Sequence, residues 1–470
     1  MKILLVVPPG EKKSKYSFLR FTAPPLGLAY IAAVLLENQF NRVQILDSNA
    51  LSLTYEGYER ILRQVQPDIV GIQTMTPDFY NAVSAAKIAK ENGSNVVMGG
   101  QHATFKPLET LLHSHADYIV LGEGEDVFLS LVQAIEQGKD PKNLPGIAYL
   151  HDGKLVKNKP PSLRKNLDEF PFPARHLLPM NKYGIFGTNA TTIISSRGCP
   201  FGCDFCAVTH YYGKKWRYRS PQNIVQELRE LGNLKLNAAA FVDDLFFVSE
   251  KRVLQICREI SKELDVELFW GATTRVDTVH QKTMDIMVKS GCRLAFVGVE
   301  SGNQAALDSI HKKVTLDQVE YFFDKAREAK MDTLASFVYG LPGDTRSSIQ
   351  ATTDWVIKRL KPDLALFTVA TPYPGTPFYE NALQQGKIVE QDYSKYTLFQ
   401  PIMEITGLKR SEVKELVTDA YKKFYIRPGH LIPMVKRELG YALESYGLGM
   451  FLRNGLAFGK AALSFSKIIS

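Results

Sequence analysis

Three of the chain's five cysteines lie in one stretch, Ser195-Ser-Arg-Gly-Cys199-Pro-Phe-Gly-Cys203-Asp-Phe-Cys206. The spacing C-x3-C-x2-C brings three thiolates into a single loop. Thiolates are soft donors that select zinc, Cu(I) or iron–sulfur clusters. A structural zinc site needs a fourth ligand, and His210, four residues past Cys206, can supply it. An iron–sulfur cluster ordinarily takes four cysteines, so three leave one iron open to an external ligand. Donor chemistry alone leaves both readings open. The loop's position just past a predicted strand favours the cluster, because a zinc knuckle has no need to open a βα repeat. Cys257 lies in a helical stretch and Cys292 just before a strand, and both read as buried small hydrophobes.

The elements around the triplet form a repeating βα pattern. Strands are predicted near 192–195, 238–242, 267–272, 294–299, 333–338 and 364–369, with helices such as 221–231, 250–263, 281–290 and 316–329 between them. Six such units predict a partial (β/α)6 TIM-type barrel over 189–405, where chemistry collects at strand C-termini. Those ends carry Asp243 and Asp244, Arg275, Glu300, Gly340 and Gly343, then Tyr373-Pro-Gly-Thr-Pro377. Each acid taken alone is equally an ordinary helix cap.

A second βα series comes first. Short β-branched runs at 3–7, 43–46, 69–73, 96–98 and 118–121 alternate with helical patterns at 27–37, 57–66, 80–92 and 127–137. They predict a doubly wound, flavodoxin-like parallel sheet over 1–140, which binds its ligand beyond the strand C-termini. There lie Pro8-Pro-Gly10, Thr74-Met-Thr76, Gly99-Gly100-Gln-His102 and Gly122-Glu123-Gly124-Glu125. Paired glycines admit close backbone approach, and Thr74, Thr76 and His102 can hydrogen-bond. A Pro-, Lys- and Asn-rich stretch over 141–188 reads as a linker, and 406–470 as a helical C-terminal region, giving an α/β protein overall.

Composition sets the outer bounds. At 470 residues, 45% hydrophobic and 23% charged, the chain is long and apolar enough for several folded domains, which excludes wholesale disorder. A formal charge of +8 decides little at this size. Few, clustered cysteines argue against a disulfide framework and for a reducing cytoplasm. The initial apolar run is broken by Pro8-Pro9-Gly10 and is no signal peptide. No stretch reaches the roughly 18 apolar residues of a bilayer span. A cytoplasmic protein is expected, with peripheral contact at the inner membrane face through the basic, aromatic C-terminus as one reading and a helical cap over the barrel mouth as the other. The segment 210–220 interleaves basic and aromatic residues, as nucleic-acid binders do. Without an RNA-binding module a structural or cofactor-covering role is favoured; a zinc-stabilised RNA-binding protein is the alternative of a different class.

The triplet, with Phe205 before its last cysteine and a βα barrel around it, resembles the signature of the radical S-adenosylmethionine (SAM) superfamily. The resemblance implies a [4Fe–4S] cluster on Cys199, Cys203 and Cys206, whose open iron chelates SAM and whose electron yields a 5′-deoxyadenosyl radical. It implies SAM contacts at Phe205, Asp243, Asp244, Arg275, Glu300, Gly340 and Gly343. Asp243 and Asp244 stand where the family often has a Gly-Gly-Glu-like motif. The preceding α/β domain resembles the cobalamin-binding domain of B12-dependent radical SAM enzymes, implying cobalamin contacts at Thr74, Thr76, Gly99, Gly100, His102, Gly122, Glu123 and Gly124. The Asp-x-His-x-x-Gly motif is absent: Asp47-Ser-Asn-Ala-Leu-Ser52 has no His, which leaves the lower cobalt ligand unassigned. The function implied is methylation of an unactivated carbon of a lipid, tetrapyrrole or secondary metabolite. A cyclase or C–C bond-forming enzyme with the same cofactors is the runner-up. Implied partners are a small hydrophobic substrate and an external electron donor such as flavodoxin or ferredoxin.

Overall fold

The structure, a computed structural model, describes residues 1–10, 22–184, 190–233, 236, 238–264, 268–405 and 407–427. The first sheet contains β1 (Ile3–Val7), β2 (Val43–Asp47), β3 (Ile69–Gln73), β4 (Asn95–Gly99), β5 (Tyr118–Val120), β6 (Ile147–His151) and β7 (Lys154–Lys157). Its order is β2-β1-β3-β4-β5-β6-β7, parallel from β2 to β5 and antiparallel thereafter. Central strands are near-continuous apolar runs because both their faces are covered. Ile3 and Leu5 pack with helices Leu26–Glu37 and Glu125–Glu136. Leu4 and Val6 pack on the other side with helices Tyr55–Val65 and Phe79–Glu91.

The stretch expected to be a plain linker contains β6 and β7, a hairpin that extends this sheet. Its turn is Asp152-Gly153, both at positive φ (49° and 73°). Asp-Gly is a strong two-residue hairpin signal, overlooked beside the neighbouring prolines. Two helices, Gln101–Phe105 and Pro107–Ser114, also fill a connection expected to be loop.

The second sheet holds six parallel strands in the order β15-β14-β13-β12-β11-β8, where β8 is Ala190–Ile193, β11 Ala238–Phe241, β12 Phe269–Thr274, β13 Cys292–Glu300, β14 Asp332–Tyr339 and β15 Leu364–Val369. The predicted strand start at Glu267 lies outside the described residues. Between β8 and β11 runs a two-stranded antiparallel ribbon, β9 (Ser196–Arg197) with β10 (Arg217–Tyr218). Strand β14 buries Thr333, Ala335, Phe337 and Tyr339 and leaves Leu334, Ser336 and Val338 half-exposed. That period-two pattern means one face is packed under helices and the other is not. Capping fixes the helix starts: Thr315 and Gln318 form a reciprocal capping box on helix Leu316–Glu328.

A sheet edge exposes unpaired backbone groups. Along β15 helix Arg410–Tyr425 meets them: the Tyr421 hydroxyl accepts from Phe367 N, and that of Tyr425 accepts from Ala365 N and donates to Ala365 O. Phe424 is fully buried beside them. This helix therefore covers a sheet edge. The rest of the C-terminal region, beyond 427, lies outside the described residues. Among the described residues no helix is long and apolar enough to cross a membrane.

Candidate active site

Residues 199–206 follow β9 at the C-terminal end of β8. Gly198 holds the entry: its φ is +86°, and a Cβ there would lie 2.0 Å from the Lys215 carbonyl oxygen, so no side chain fits. Two carboxylates from the end of β11 fix this loop. Asp243 accepts Ser195 N at 2.7 Å, Ser195 Oγ at 2.6 Å and Ser196 Oγ at 2.5 Å. Asp244 accepts Gly198 N at 2.8 Å. On the far side Asp204 N donates to Ile310 O, and His311 Nδ1 sits 2.8 Å from Asp204 Oδ2. Burial raises the Asp243 carboxyl against the lowering influence of Arg252 and the serine hydroxyls. It also raises Asp244 to about 6, although Asp244 keeps an exposed face.

The three loop cysteines are unpaired and half-buried. Burial pushes the Cys199 thiol up and that of Cys206 to about 11. Ionising them together requires a soft cation close by, as metal thiolate ligation provides. Among the described residues no three His, Cys, Asp or Glu side chains converge closely enough to hold a single metal ion. His210 is exposed on the short helix Val208–Tyr212, so the Cys3His zinc alternative has no geometric support. Cys257 and Cys292 are buried in the core, as expected.

Arg275, at the end of β12, is already engaged. It donates to Asp277 at 2.9 and 3.0 Å, to Lys312 O at 2.9 Å and to Cys203 Sγ at 3.7 Å, and lies 3.8 Å over the Phe201 ring. The side chain expected at a ligand carboxylate thus braces the cysteine loop. Glu300 is buried at φ 71°, beside a register shift of β13 against β14, and accepts Lys312 Nζ at 2.7 Å. A non-glycine residue at such φ costs about 1–3 kcal/mol and marks functional sites. Gly340 and Gly343 both have φ near +87°, and Asp344 accepts Gly340 N and Leu341 N at 3.1 Å. Phe205 packs partly buried on the main core.

A cavity of about 470 Å³ opens between the two sheets. From the first come Gly71, Gly99, Gly100, Gly122, Glu123 and Gly124; from the second come Thr192 with Ile194 and Val242 at its strand ends, joined by Arg197 of the ribbon and by Tyr211 and Tyr212. Glycines make the room: a Cβ on Gly71 would lie 2.8 Å from Leu5 Cδ2 and 3.1 Å from Phe128. Mostly apolar walls and small residues suit a bound organic ligand.

Three expected ligand contacts do not line this cavity. Thr74 is fully buried beneath Gly100, whose Cβ would stand 2.8 Å from the Thr74 carbonyl oxygen. His102 turns into the protein, its Nδ1 3.2 Å from Thr76 Oγ1 and its ring packed on Phe79 and Tyr393 at 4.4 and 4.7 Å. Aromatic packing outweighs exposure there, and burial, aided by Lys106, lowers its pKa to about 4. Glu123 does line the cavity but is neutralised by Arg197 and Arg217.

Arg197, Gln73, Met75, Tyr211 and Tyr212 line the cavity without having been singled out as ligand contacts. For Arg197 the available signal was its place two residues before Cys199. Within the segment 210–220, Gly213, Lys214, Lys215 and Tyr218 are exposed, while Arg217 and Arg219 are buried on Glu123 and Glu227, and Trp216 and Tyr218 flank Arg252 at 5.6 and 5.4 Å. This is the structural role favoured for it.

Comparison with known proteins gives the same two-part division. The Radical SAM superfamily model matches residues 193–356, and the B12 binding domain model matches residues 19–132. An uncharacterized methyltransferase of Pyrococcus horikoshii is 37% identical over 449 residues, 94% of this chain and 96% of that one. The anaerobic magnesium-protoporphyrin IX monomethyl ester cyclase of Rubrivivax gelatinosus is 30% identical, covering 87% and 75%. The fold is shared with TsrM, a radical S-adenosylmethionine methyltransferase from Kitasatospora setae solved with cobalamin and a [4Fe–4S] cluster. That match has TM-score 0.71 and 19% identity, covering 83% of this chain and 79% of that one.

Proposed function

The chain belongs to the radical SAM enzymes that carry an N-terminal B12-binding domain, and from that premise we propose that it is a cobalamin-dependent methyltransferase acting on an unactivated carbon of a lipid, tetrapyrrole or secondary metabolite. The observation that carries the reading is the single cavity lined from one side by the glycine loops of the first sheet and from the other by the approach to the cysteine loop. A corrinoid held there would lie beside the loop that carries Cys199, two residues past Arg197 in the cavity wall. When bound, the cluster supplies the electron that cleaves SAM to a 5′-deoxyadenosyl radical, and cobalamin carries the methyl group.

In this reading Cys199, Cys203 and Cys206 hold the [4Fe–4S] cluster. Phe205, Asp244, Glu300, Gly340 and Gly343 surround SAM. Asp243 and Arg275 act by fixing the loop and the charge beside it. Gly99, Gly100, Gly122 and Gly124 admit cobalamin, while Tyr211 and Tyr212 screen the cavity from water. The first sheet is read as a flavodoxin-like doubly wound domain over about 1–140, extended by the hairpin, and 189–405 as a partial (β/α)6 barrel. A reduced flavodoxin or ferredoxin supplies the electron, and the half-exposed inner face of the second sheet receives a hydrophobic substrate. The cytoplasm is the expected location, with the C-terminal region as the part that would meet a membrane.

A second reading, oxidative cyclisation without methyl transfer, is favoured by the 30% identity to the cyclase. Methyl-deuterated SAM given to the reduced enzyme with lipid and pigment extracts separates the two. Methyl transfer predicts deuterium in a product, with S-adenosylhomocysteine alongside 5′-deoxyadenosine. Formation of 5′-deoxyadenosine with an unlabelled product assigns the enzyme to the cyclases.

A further inference from the structure

We propose that Arg197 is a positioning residue, which by bridging Glu123 and Glu125 fixes the cysteine loop against the cobalamin-side loop across the shared cavity. The inference rests on the function proposed above. Arg197 lies in β9, two residues before Cys199. Its Nη2 donates to Glu125 Oε1 at 2.6 Å, and its Nη1 lies 3.3 Å from Glu123 Oε2. Arg217, its partner across the ribbon, pairs with the same Glu123. The Arg197 guanidinium is flanked by the rings of Tyr30 and Phe170 at 5.2 and 5.0 Å. Two arginines therefore meet two glutamates, all nine-tenths or more buried, at the seam between the sheets.

Such a cluster is a poor way to gain stability, since apolar residues of the same volume serve as well or better once desolvation is counted. What it gives is direction. A guanidinium reaches two carboxylates at once in a fixed fork, which an ammonium cannot do. Tyr211 reinforces the seam by donating its hydroxyl proton to Gly122 O. The second Glu of Gly122-Glu-Gly-Glu125 thereby acquires a role: it holds the neighbouring domain.

The test loads wild type, Arg197→Lys and Glu125→Gln with iron and hydroxocobalamin, then records the electron paramagnetic resonance of the state with reduced cluster and cob(II)alamin. The expected result is an altered spin–spin interaction between the centres in both variants, with hydroxocobalamin binding about tenfold weaker in Arg197→Lys. Each effect crosses the seam: Arg197→Lys disturbs cobalamin, and Glu125→Gln disturbs the cluster signal. Variants with wild-type coupling and affinity, or with damage confined to the substituted residue's own domain, overturn the proposal. A wild type that takes up no cobalamin would refute the proposed function instead. Amide exchange then still tests the bridge, because Glu125→Gln must deprotect Arg197 and Gly198; unchanged protection overturns it.

Discussion

The two sheets are built from the same βα unit, yet they bury their strands differently. In the first, β1 and β3 are covered on both faces, and only glycines open space near their ends. In the second, β14 buries alternate residues, and the face away from the helices stays half-exposed. A doubly covered sheet leaves a ligand only the strip beyond its strand ends, so room depends on missing side chains. The open face of the second sheet has room already, and its difficulty is to hold a thiol-bearing loop in place. It does so with Asp243, Asp244, Arg275 and the segment Ile310–Lys312. One half of the site is made by subtraction, the other by bracing.

The sharpest way to break this contrast is to damage each half separately. Gly198→Ala places a methyl against the Lys215 carbonyl oxygen and is expected to abolish most iron retention while hydroxocobalamin still binds; iron assay and cobalamin absorbance report both. Gly71→Val should do the reverse, since overpacking against Leu5 and Phe128 costs about 1–3 kcal/mol and fills the cavity. Cobalamin affinity should fall about tenfold or more with iron content unchanged.

Acid should strain the first half through His102. Its pKa is about 4 where the ordinary value is 6.5. The unfolded chain therefore binds the extra proton as pH falls through that window. Stability is complete above about 6.5 and declines toward pH 4, by roughly 3 kcal/mol in all. Denaturant titrations of wild type and His102→Gln should diverge across that range and run parallel above it. The smallest effect belongs to the far edge of the second sheet: Tyr421→Phe removes the acceptor of Phe367 N and should lower stability by about 1–2 kcal/mol, with iron and cobalamin contents unaltered.

Much of this was legible in the residues. Strands 3–7, 69–73 and 364–369 coincide with the structure to the residue, because short apolar β-branched runs bounded by breakers have few other readings. The cysteine loop stood out by its spacing as a thiolate site, with zinc and an iron–sulfur cluster both open until the βα repeat around it was read. The roles of polar residues were not, because sequence gives a group's chemistry and not its partner. His102 Nδ1 meets Thr76 Oγ1; Glu123 is neutralised from another sheet 74 positions away, at Arg197. Arg275 reads in sequence as a ligand anchor; its acceptor Asp277 is two residues on, but its acceptor Lys312 O lies 37 positions away and nothing local announced it. The hairpin at Asp152-Gly153 was readable but was absorbed into a proline-rich neighbourhood.

The central claim is that one chain holds a cluster and a corrinoid on neighbouring loops. Its most direct measurement is the iron and cobalamin content of anaerobically purified protein, compared with the triple variant C199A/C203A/C206A. About four irons and about one cobalamin per chain are expected in the wild type, with iron lost and cobalamin kept in the variant. Stoichiometric zinc in place of iron, or a wild type that takes up iron and no cobalamin, would contradict it.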